Sequence, residues 1–201
     1  MRIKKAIQES IELKEKILQD EAMLQRIETV SDACVNAFKK GNQLLLCGNG
    51  GSAADAQHLA AEFSGRFYFD REPLNAEALH VNTSYLTAVA NDYSYDEVYA
   101  RLVKAKGTKG DVLFALSTSG NSENVIRAMK TARELGMITV ALTGRDGGKA
   151  TDLSDYLFNV PSNDTPRIQE AHILIGHLIC ELVESKYPPR KSQHALAVCT
   201  K

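Results

Sequence analysis

Over residues 3–38 apolar side chains return every three or four positions, through Ile3, Ile7, Ile11, Leu18, Leu24, Ile27, Val30, Val35 and Phe38, with charged residues between them. That rhythm is the period of an amphipathic helix. It predicts a helical segment over 1–40, as one helix or as two broken near Asp20, with Gly41 as a stop. A stretch of this length packs on its own domain or on a partner subunit, and the pattern leaves both open.

Beyond Gly41 the rhythm changes. "QLLLCG", "ALHVN", "DVLFALS", "ITVALTG" and "YLFNVP" are short apolar runs bounded by turn residues. Between them lie helix-like stretches, "SAADAQHLAAEF", "SYLTAVAND", "SENVIRAMKTARELG" and the final "PRIQEAHILIGHLICELVESKY". Strands that alternate with helices imply parallel pairing, because parallel neighbours need a crossover connection. The runs are continuously apolar, as strands are when helices cover both sheet faces. The fold class expected is α/β, a three-layer sandwich with a mainly parallel central sheet and an N-terminal helical extension.

The chain has 201 residues, of which 44% are apolar and 24% charged. That is ordinary for a globular protein and enough for one substantial core. Residues 1–201 therefore read as a single domain, with 188–201 a loosely attached tail. Lys and Arg number 24 against 25 Asp and Glu, a net charge of −1. Nucleic acid is not expected as a partner, since phosphate-backbone binding rests on a concentrated basic excess. A local basic pocket for a small anion stays open. The N-terminus is interrupted by charge every few residues, unlike a signal peptide. No apolar run approaches the roughly 20 residues that span a bilayer. The four cysteines, Cys34, Cys47, Cys180 and Cys199, are scattered without a C-x-x-C pair, so reduced thiols and a cytoplasmic location are expected, with no membrane partner.

Ligands of an open α/β sheet bind beyond the carboxyl ends of its strands. Two such junctions carry unusual chemistry. In "CGNGGSA", Gly48, Gly50 and Gly51 allow a tight turn and close approach to a ligand, with Ser52 as the expected cap of the next helix. Free amides there would favour an anion. The dinucleotide fingerprint fails, because its third glycine position is Ala53, and no G-K-S/T follows. A glycine-rich junction can equally be a plain turn. In "ALSTSGNSENVI", Ser117, Thr118, Ser119 and Ser122 crowd four hydroxyls at a helix start. Such a cluster suits a phosphate monoester, and it also serves capping.

The acid–base inventory adds His58 and Glu62, four apart and so on one helix face. In the last helix Gln169 and His177 are eight apart, about 80° around the axis, so one broad face presents both. His172 falls between them. Asn91 and Asp92 follow a helix-like stretch and suit either sugar hydroxyls or turn closure. Arg66 is a counter-charge for a phosphate or a solvated side chain.

With these residues in hand the chain resembles the phosphoheptose isomerases, single-domain members of the sugar isomerase (SIS) superfamily. The motifs "CGNGGSAADAQHLAAEFSGRF", "ANDYSYDEVYAR", "LSTSGNSENV", "ALTGRDGG" and "RIQEAHILIGHLICELVE" carry the resemblance, which runs from the first helix to about Tyr187. It implies an aldose–ketose isomerase that converts sedoheptulose 7-phosphate to D-glycero-D-manno-heptose 7-phosphate through an enediol, toward the heptoses of bacterial surface polysaccharides such as lipopolysaccharide. By motif, Asn49, Gly50, Gly51, Asn91 and Asp92 contact substrate, joined by Arg66 and Gln169. Ser117, Thr118, Ser119 and Ser122 hold the phosphate. Glu62 and His177 match the acid–base pair. The family also implies one zinc ion per subunit, on His58, Glu62, Gln169 and His177, and a homotetramer with sites at subunit interfaces. Pro166 stands where relatives carry a small residue, and a helix's first turn tolerates it.

Two alternatives remain. One is a non-enzymatic relative of the same fold, of the type that binds the replication initiator. That homologue lacks the glutamate and the last-helix histidine, and both are present here. The other is an isomerase for a different sugar phosphate, since no spacing rule counts carbons. Relatives acting on arabinose 5-phosphate carry additional regulatory repeats, for which 201 residues leave no room.

Overall fold

A computed structural model describes residues 1–190 of the chain. All but the first three residues of the 188–201 tail, Cys199 included, lie outside the described residues.

The N-terminal pattern resolves into two helices, α1 (Arg2–Leu18) and α2 (Glu21–Lys39). The break falls at Asp20, whose Oδ1 accepts the Met23 N–H at 3.0 Å and so caps α2. Gly41 follows the second helix at φ 79°, a conformation that suits glycine. α2 buries Ile27, Val30 and Val35 of the positions its period marked, together with Met23 and Cys34, and leaves Leu24 and Phe38 half-buried. α1 buries Leu13 and Ile17 but leaves Ile3, Ile7 and Ile11 exposed, at 77%, 56% and 45%.

The sheet has five strands, β1 (Leu44–Gly48), β2 (Ala76–Ala78), β3 (Val112–Leu116), β4 (Ile138–Thr143) and β5 (Tyr156–Asn159), in the order β2-β1-β3-β4-β5. Every pairing is parallel, with Leu44 opposite Val112 and Val112 opposite Ile138 in the centre. Alternate strand residues feed different layers. Leu44, Leu46, Phe114 and Leu142 pack under α2, α3 (Gly51–Ser64) and α7 (Thr165–Glu184). Leu45, Cys47, Leu113, Ala115 and Ala141 pack under the opposite layer, α4 (Thr83–Asp92), α5 (Val98–Lys106) and α6 (Glu123–Glu134). Both faces are covered, which is why the strands read as unbroken apolar runs.

Two expectations need correction. The run "ALHVN" is not the strand: β2 ends at Ala78, and Leu79 makes the last ladder contact, its N–H donating to Leu46 O at 2.8 Å. Asn82 instead caps α4, its Oδ1 accepting the Tyr85 N–H at 3.0 Å, so the chain turns into a helix there. Helix α5 was not among the expected helices. Its nine residues are shorter than the window in which a helical period stands out.

The strand order reverses direction between β1 and β3. A doubly wound sheet binds its ligands at that switch, outside the carboxyl ends of the strands. The glycine turn follows β1 and the hydroxyl loop follows β3, so the topology brings the two junctions to one crevice.

Candidate active site

The glycine turn is held from three sides. Gly50 adopts φ 56°, and a Cβ on Gly48 would lie 2.6 Å from Ser52 O, so neither position accepts a larger residue without strain. The Tyr99 hydroxyl donates to Gly48 O at 2.5 Å. Asn49 and Asn124 exchange amide hydrogen bonds at 2.8 and 2.9 Å, tying the β1 turn to the first turn of α6. The Tyr95 hydroxyl adds a bond to Asn49 Oδ1 at 3.2 Å. Ser52 is not the helix cap expected of it. α3 already starts at Gly51, and Ser52 is buried inside its first turn with its N–H on Asn49 O. Gly50 enters the helix without a side chain, so the cap position is open toward the crevice.

In the second loop Ser117 Oγ lies 3.1 Å from Ser122 Oγ and 3.4 Å from Ser119 Oγ. Gly120, at φ 64°, backs directly onto Gly147: a Cβ there would sit 1.9 Å from Gly147 O. That contact presses the β3 and β4 loops together. Beside it opens a cleft of about 330 Å³ lined by Thr118, Ser119, Arg145, Asp146, Ser162 and Asn163. Hydroxyls, Arg145 and the start of α7 suit an anion there, against the carboxylate of Asp146, and Ser117 and Ser122 are not part of its lining.

Helices α3 and α7 run side by side, and two glycines set how close. A Cβ on Gly51 would lie 2.5 Å from Gln169 Nε2, and one on Gly176 would lie 2.5 Å from Leu59 Cδ1. The close approach brings His177 against α3, its ring centroid 5.0 Å from that of His58. His58 Nε2 is 3.0 Å from Glu62 Oε1. Phe67 also packs on His177, their ring centroids 5.6 Å apart. Burial pushes the His177 imidazole below the ordinary histidine range; His58 adds to this and Glu62 opposes it. Its Nε2 is buried without a hydrogen-bond partner. One turn before His58, Asp55 Oδ2 is also buried without a partner, its carboxyl pushed up by burial against the pull of His58.

Ligand atoms of His58, Glu62 and His177 all lie within 4.8 Å of one another. Two imidazoles and a carboxylate are a zinc-type donor set, and His177 keeps its buried Nε2 free of any hydrogen bond. These residues fit the metal that the resemblance implies. Gln169 sits over Gly51, two turns before His177 and so about 12 Å from it along the axis.

The remaining expected residues fall in other places. Asn91 and Asp92 form the last turn of α4 rather than following it, paired to each other at 2.9 Å and exposed. Tyr95, just beyond them, is what reaches the glycine turn. Arg66 is exposed in the loop after α3, its Nη1 3.4 Å from Tyr68 O. His172 faces the core and not the site. It is fully buried, its Nε2 is 3.1 Å from Thr143 O, and burial pushes its pKa down to about 4. Sequence reasoning missed Asn124, Tyr95 and Tyr99. Asn124 lay within the quoted "LSTSGNSENV" and both tyrosines within "ANDYSYDEVYAR", but nothing in the spacing pointed them at the glycine turn.

Comparison with known proteins agrees with this architecture. The SIS domain family model matches residues 7–144. The phosphoheptose isomerase of Aneurinibacillus thermoaerophilus is 54% identical over 182 residues, covering 90% of this chain and 92% of the relative. That of Clostridium acetobutylicum is 52% identical over 184 residues, covering 92% and 94%. Among solved structures, the phosphoheptose isomerase of Neisseria gonorrhoeae superposes with a TM-score of 0.86 at 44% identity, covering 92% of this chain and 97% of that one. That of Francisella tularensis gives 0.88 at 34% identity, with the same coverage. With that likeness spread over nine-tenths of its length, the chain belongs to the phosphoheptose isomerase family of SIS-domain proteins.

Proposed function

We propose that the protein is an aldose–ketose isomerase that interconverts sedoheptulose 7-phosphate and D-glycero-D-manno-heptose 7-phosphate. The observation that carries the chemistry is the convergence of Glu62 and His177 on the seam between α3 and α7. Identity above 50% to proteins named for this activity supports the substrate.

The reaction moves one proton between adjacent carbons and a second between their oxygens. Glu62, as base, removes the proton from the carbon beside the carbonyl. The bonding pair becomes the C=C bond of a cis-enediol as the carbonyl oxygen gains a proton. The neighbouring hydroxyl then gives up its proton, and Glu62 returns the first proton to the other carbon. His177 passes protons between the two oxygens. An imidazole held neutral by burial can accept a proton from one and donate to the other. Each positioned acid–base group contributes about 10²- to 10⁴-fold. Ser117, Thr118, Ser119 and Ser122 grip the phosphate with Arg66 as counter-charge, and Asn49, Gly50, Gly51, Asn91, Asp92 and Gln169 seat the sugar. Binding energy at the unreactive phosphate end then orients the reacting end.

Zinc would be held by His58, Glu62 and His177, which converge here, with Gln169 as the fourth ligand that the resemblance implies; while bound it would engage the Glu62 and His177 lone pairs that proton transfer uses. Bound there it would polarise a substrate oxygen as a Lewis acid.

The working unit is a homotetramer of single SIS domains spanning 1–201. The exposed Ile3, Ile7 and Ile11 of α1 support a subunit contact, beside a groove of about 390 Å³ shared with Arg167 and Glu170 of α7. Ile168 borders the hydroxyl cleft while His177 lies nine residues further along α7, about 13 Å away on the axis. A site completed across a subunit interface would bring a hydroxyl loop and an acid–base pair together. Among the described residues no helix is long and apolar enough to cross a membrane; the scattered cysteines without a C-x-x-C pair are what support a cytoplasmic location.

A coupled assay with sedoheptulose 7-phosphate and with five- and six-carbon phosphates tests the reading. Turnover of the seven-carbon substrate is expected, and Glu62→Gln should abolish it while leaving substrate binding largely intact. Near-normal turnover of Glu62→Gln would sink the base assignment. No turnover of any sugar by the unaltered protein would favour the binding-protein alternative.

A further inference from the structure

Two charged side chains outside the proposed chemistry are buried together. Arg71 and Glu184 are each 1% exposed, with Arg71 Nε 3.2 Å from Glu184 Oε1. Burying such a pair is not in itself stabilising, because an apolar pair of similar volume often does as well. What distinguishes this one is where its hydrogen bonds go.

Arg71 lies beyond the end of α3 and turns back onto it. Its Nη2 donates to Glu62 O at 2.8 Å, and its Nη1 donates to Phe63 O at 2.9 Å, Glu72 O at 3.1 Å and Gly65 O at 3.4 Å. The Glu62 and Phe63 carbonyls belong to the last turn of α3, where no further helical N–H follows to pair with them. A cation at a helix C-terminus also complements the dipole. Glu184, the last residue of α7, takes the amide side of the same loop. Its Oε1 accepts the Phe67 N–H at 2.8 Å, and its Oε2 accepts those of Tyr68 at 2.6 Å and Phe69 at 3.3 Å.

The segment from Glu62 to Glu72 is thus gripped by its carbonyls from one side and its amides from the other. Glu62 is gripped directly. Phe67, held by Glu184, packs on the His177 ring. His177 and Glu184 are seven residues apart, two turns on one face of α7. The ion pair therefore joins the backbone under the acid–base glutamate to the helix that carries its partner histidine.

We propose that Arg71 and Glu184 are positioning residues, which set the placement of Glu62 relative to His177 by clamping the end of α3 to the end of α7. The inference rests on the proposed isomerase for its kinetic consequence, and on the three-residue donor cluster for a consequence that needs no turnover.

The test uses full-length Arg71→Lys, which keeps the charge but lacks the fork, and Glu184→Gln, which keeps the size but lacks the charge. Both are compared with the unaltered protein for melting temperature, kcat and KM, and zinc affinity by chelator competition. Misplacement of a reacting group by an ångström costs on the order of 10²-fold, and loss of groups supporting a metal site costs about 10- to 100-fold in affinity. We expect kcat to fall about 10- to 100-fold with KM within about threefold, and zinc affinity to fall by a comparable factor. Variants that melt earlier yet retain kcat and zinc affinity would overturn the proposal and leave a purely stabilising pair. If Arg71→Lys does not fold, Glu184→Gln carries the comparison. If the unaltered protein turns over no sugar phosphate, the isomerase reading fails by itself, and zinc affinity decides the clamp: weakened affinity in the variants supports it, unchanged affinity rejects it.

Discussion

Gly176→Ala examines the claim that two helices, and not one, make the site. The added Cβ would sit 2.5 Å from Leu59 Cδ1, 2.6 Å from Cδ2 and 3.1 Å from Cγ. Carbon atoms prefer about 3.5–4.0 Å, so the contact is short by about 1 Å. Leu59 is fully buried, so its methyl groups can retreat only against close-packed neighbours. Overpacking of this kind costs about 1–3 kcal/mol, offset by about 1 kcal/mol because alanine is the better helix former. The net loss should be near 1 kcal/mol, or about 2–4 °C in a domain of this size. Function should suffer more. Leu59 and Gly176 adjoin His58 and His177, so the helices must part where the imidazoles and Glu62 converge. A shift of about 1 Å there predicts a fall in kcat on the order of 10²-fold. Thermal melts and the sedoheptulose 7-phosphate assay read the two effects separately. Leu59→Ala in the same chain removes the clashing atoms, and the double-variant cycle should show a coupling of at least about 1 kcal/mol. Full kcat in Gly176→Ala, or additivity within about 0.5 kcal/mol, would refute the close-approach argument.

Asp111→Ala should do the reverse, since Asp111 precedes β3, at the end of the sheet away from the crevice. It removes the acceptor of Asn42, Gln43 and Thr108 bonds at 2.9–3.2 Å, and orphaned donors should cost at least about 2 kcal/mol in denaturant melts with kcat unchanged. Burial pushes the Asp111 carboxyl up, but bonds from Gln43, Asn42 and Thr108 outweigh it and hold it below the usual range. Glu184 behaves likewise under the N–H groups of Phe67, Tyr68 and Phe69 and the charge of Arg71. Both folded values are depressed, so their stabilisation is present above the unfolded values of about 3.9 and 4.3 and is lost as pH falls through the folded ones. Melting temperature should therefore drop below about pH 4, less steeply in Asp111→Asn. An Asp111→Asn curve identical in shape to the parent's would contradict this. Ile7→Glu should reduce the assembly size seen by light scattering, and an unchanged mass would remove α1 from the subunit contact.

How much of this was legible in the sequence depended on range. The central strands stood out because Leu44–Cys47 and Val112–Leu116 must be apolar on both faces to lie between two helical layers. Asp20 announced the helix break through local capping chemistry. β2 was misplaced because three residues at a sheet edge carry little pattern, and the neighbouring "LHVN" imitates a strand. At the site, the glycine turn and the hydroxyl loop were visible as single segments. That they share a crevice follows from strand order, which spacing does not encode. Helical periodicity grouped Gln169 with His177 and left His172 unplaced. It says nothing of which face meets a neighbour, and packing sends His172 to Thr143 O and Gln169 to Gly51. The Arg71–Glu184 clamp joins residues more than a hundred positions apart, and only the fold reveals it.

The donor cluster makes one further demand, on zinc itself. Glu62 is a carboxylate with only lone pairs to offer, so the 3.0 Å contact between its Oε1 and His58 Nε2 requires a proton on that nitrogen. A metal ion bound to both atoms would have to take that proton's place, so the two arrangements exclude each other. Folded protein offers the cluster and unfolded chain does not, so zinc should stabilise the fold by mass action. At a hundredfold excess over Kd the gain is about 2.7 kcal/mol, or about 5–11 °C in melting temperature. Ligation needs unprotonated imidazoles, so the shift should shrink as the solution is acidified. Burial already keeps His177 toward the neutral form, while His58 must also give up its hydrogen bond to Glu62. Glu62→Ala and His177→Ala should each abolish the shift. A full shift in either variant would place the zinc elsewhere. No shift in the unaltered protein would mean that the His58–Glu62 hydrogen bond outcompetes the metal, leaving Glu62 as a base alone.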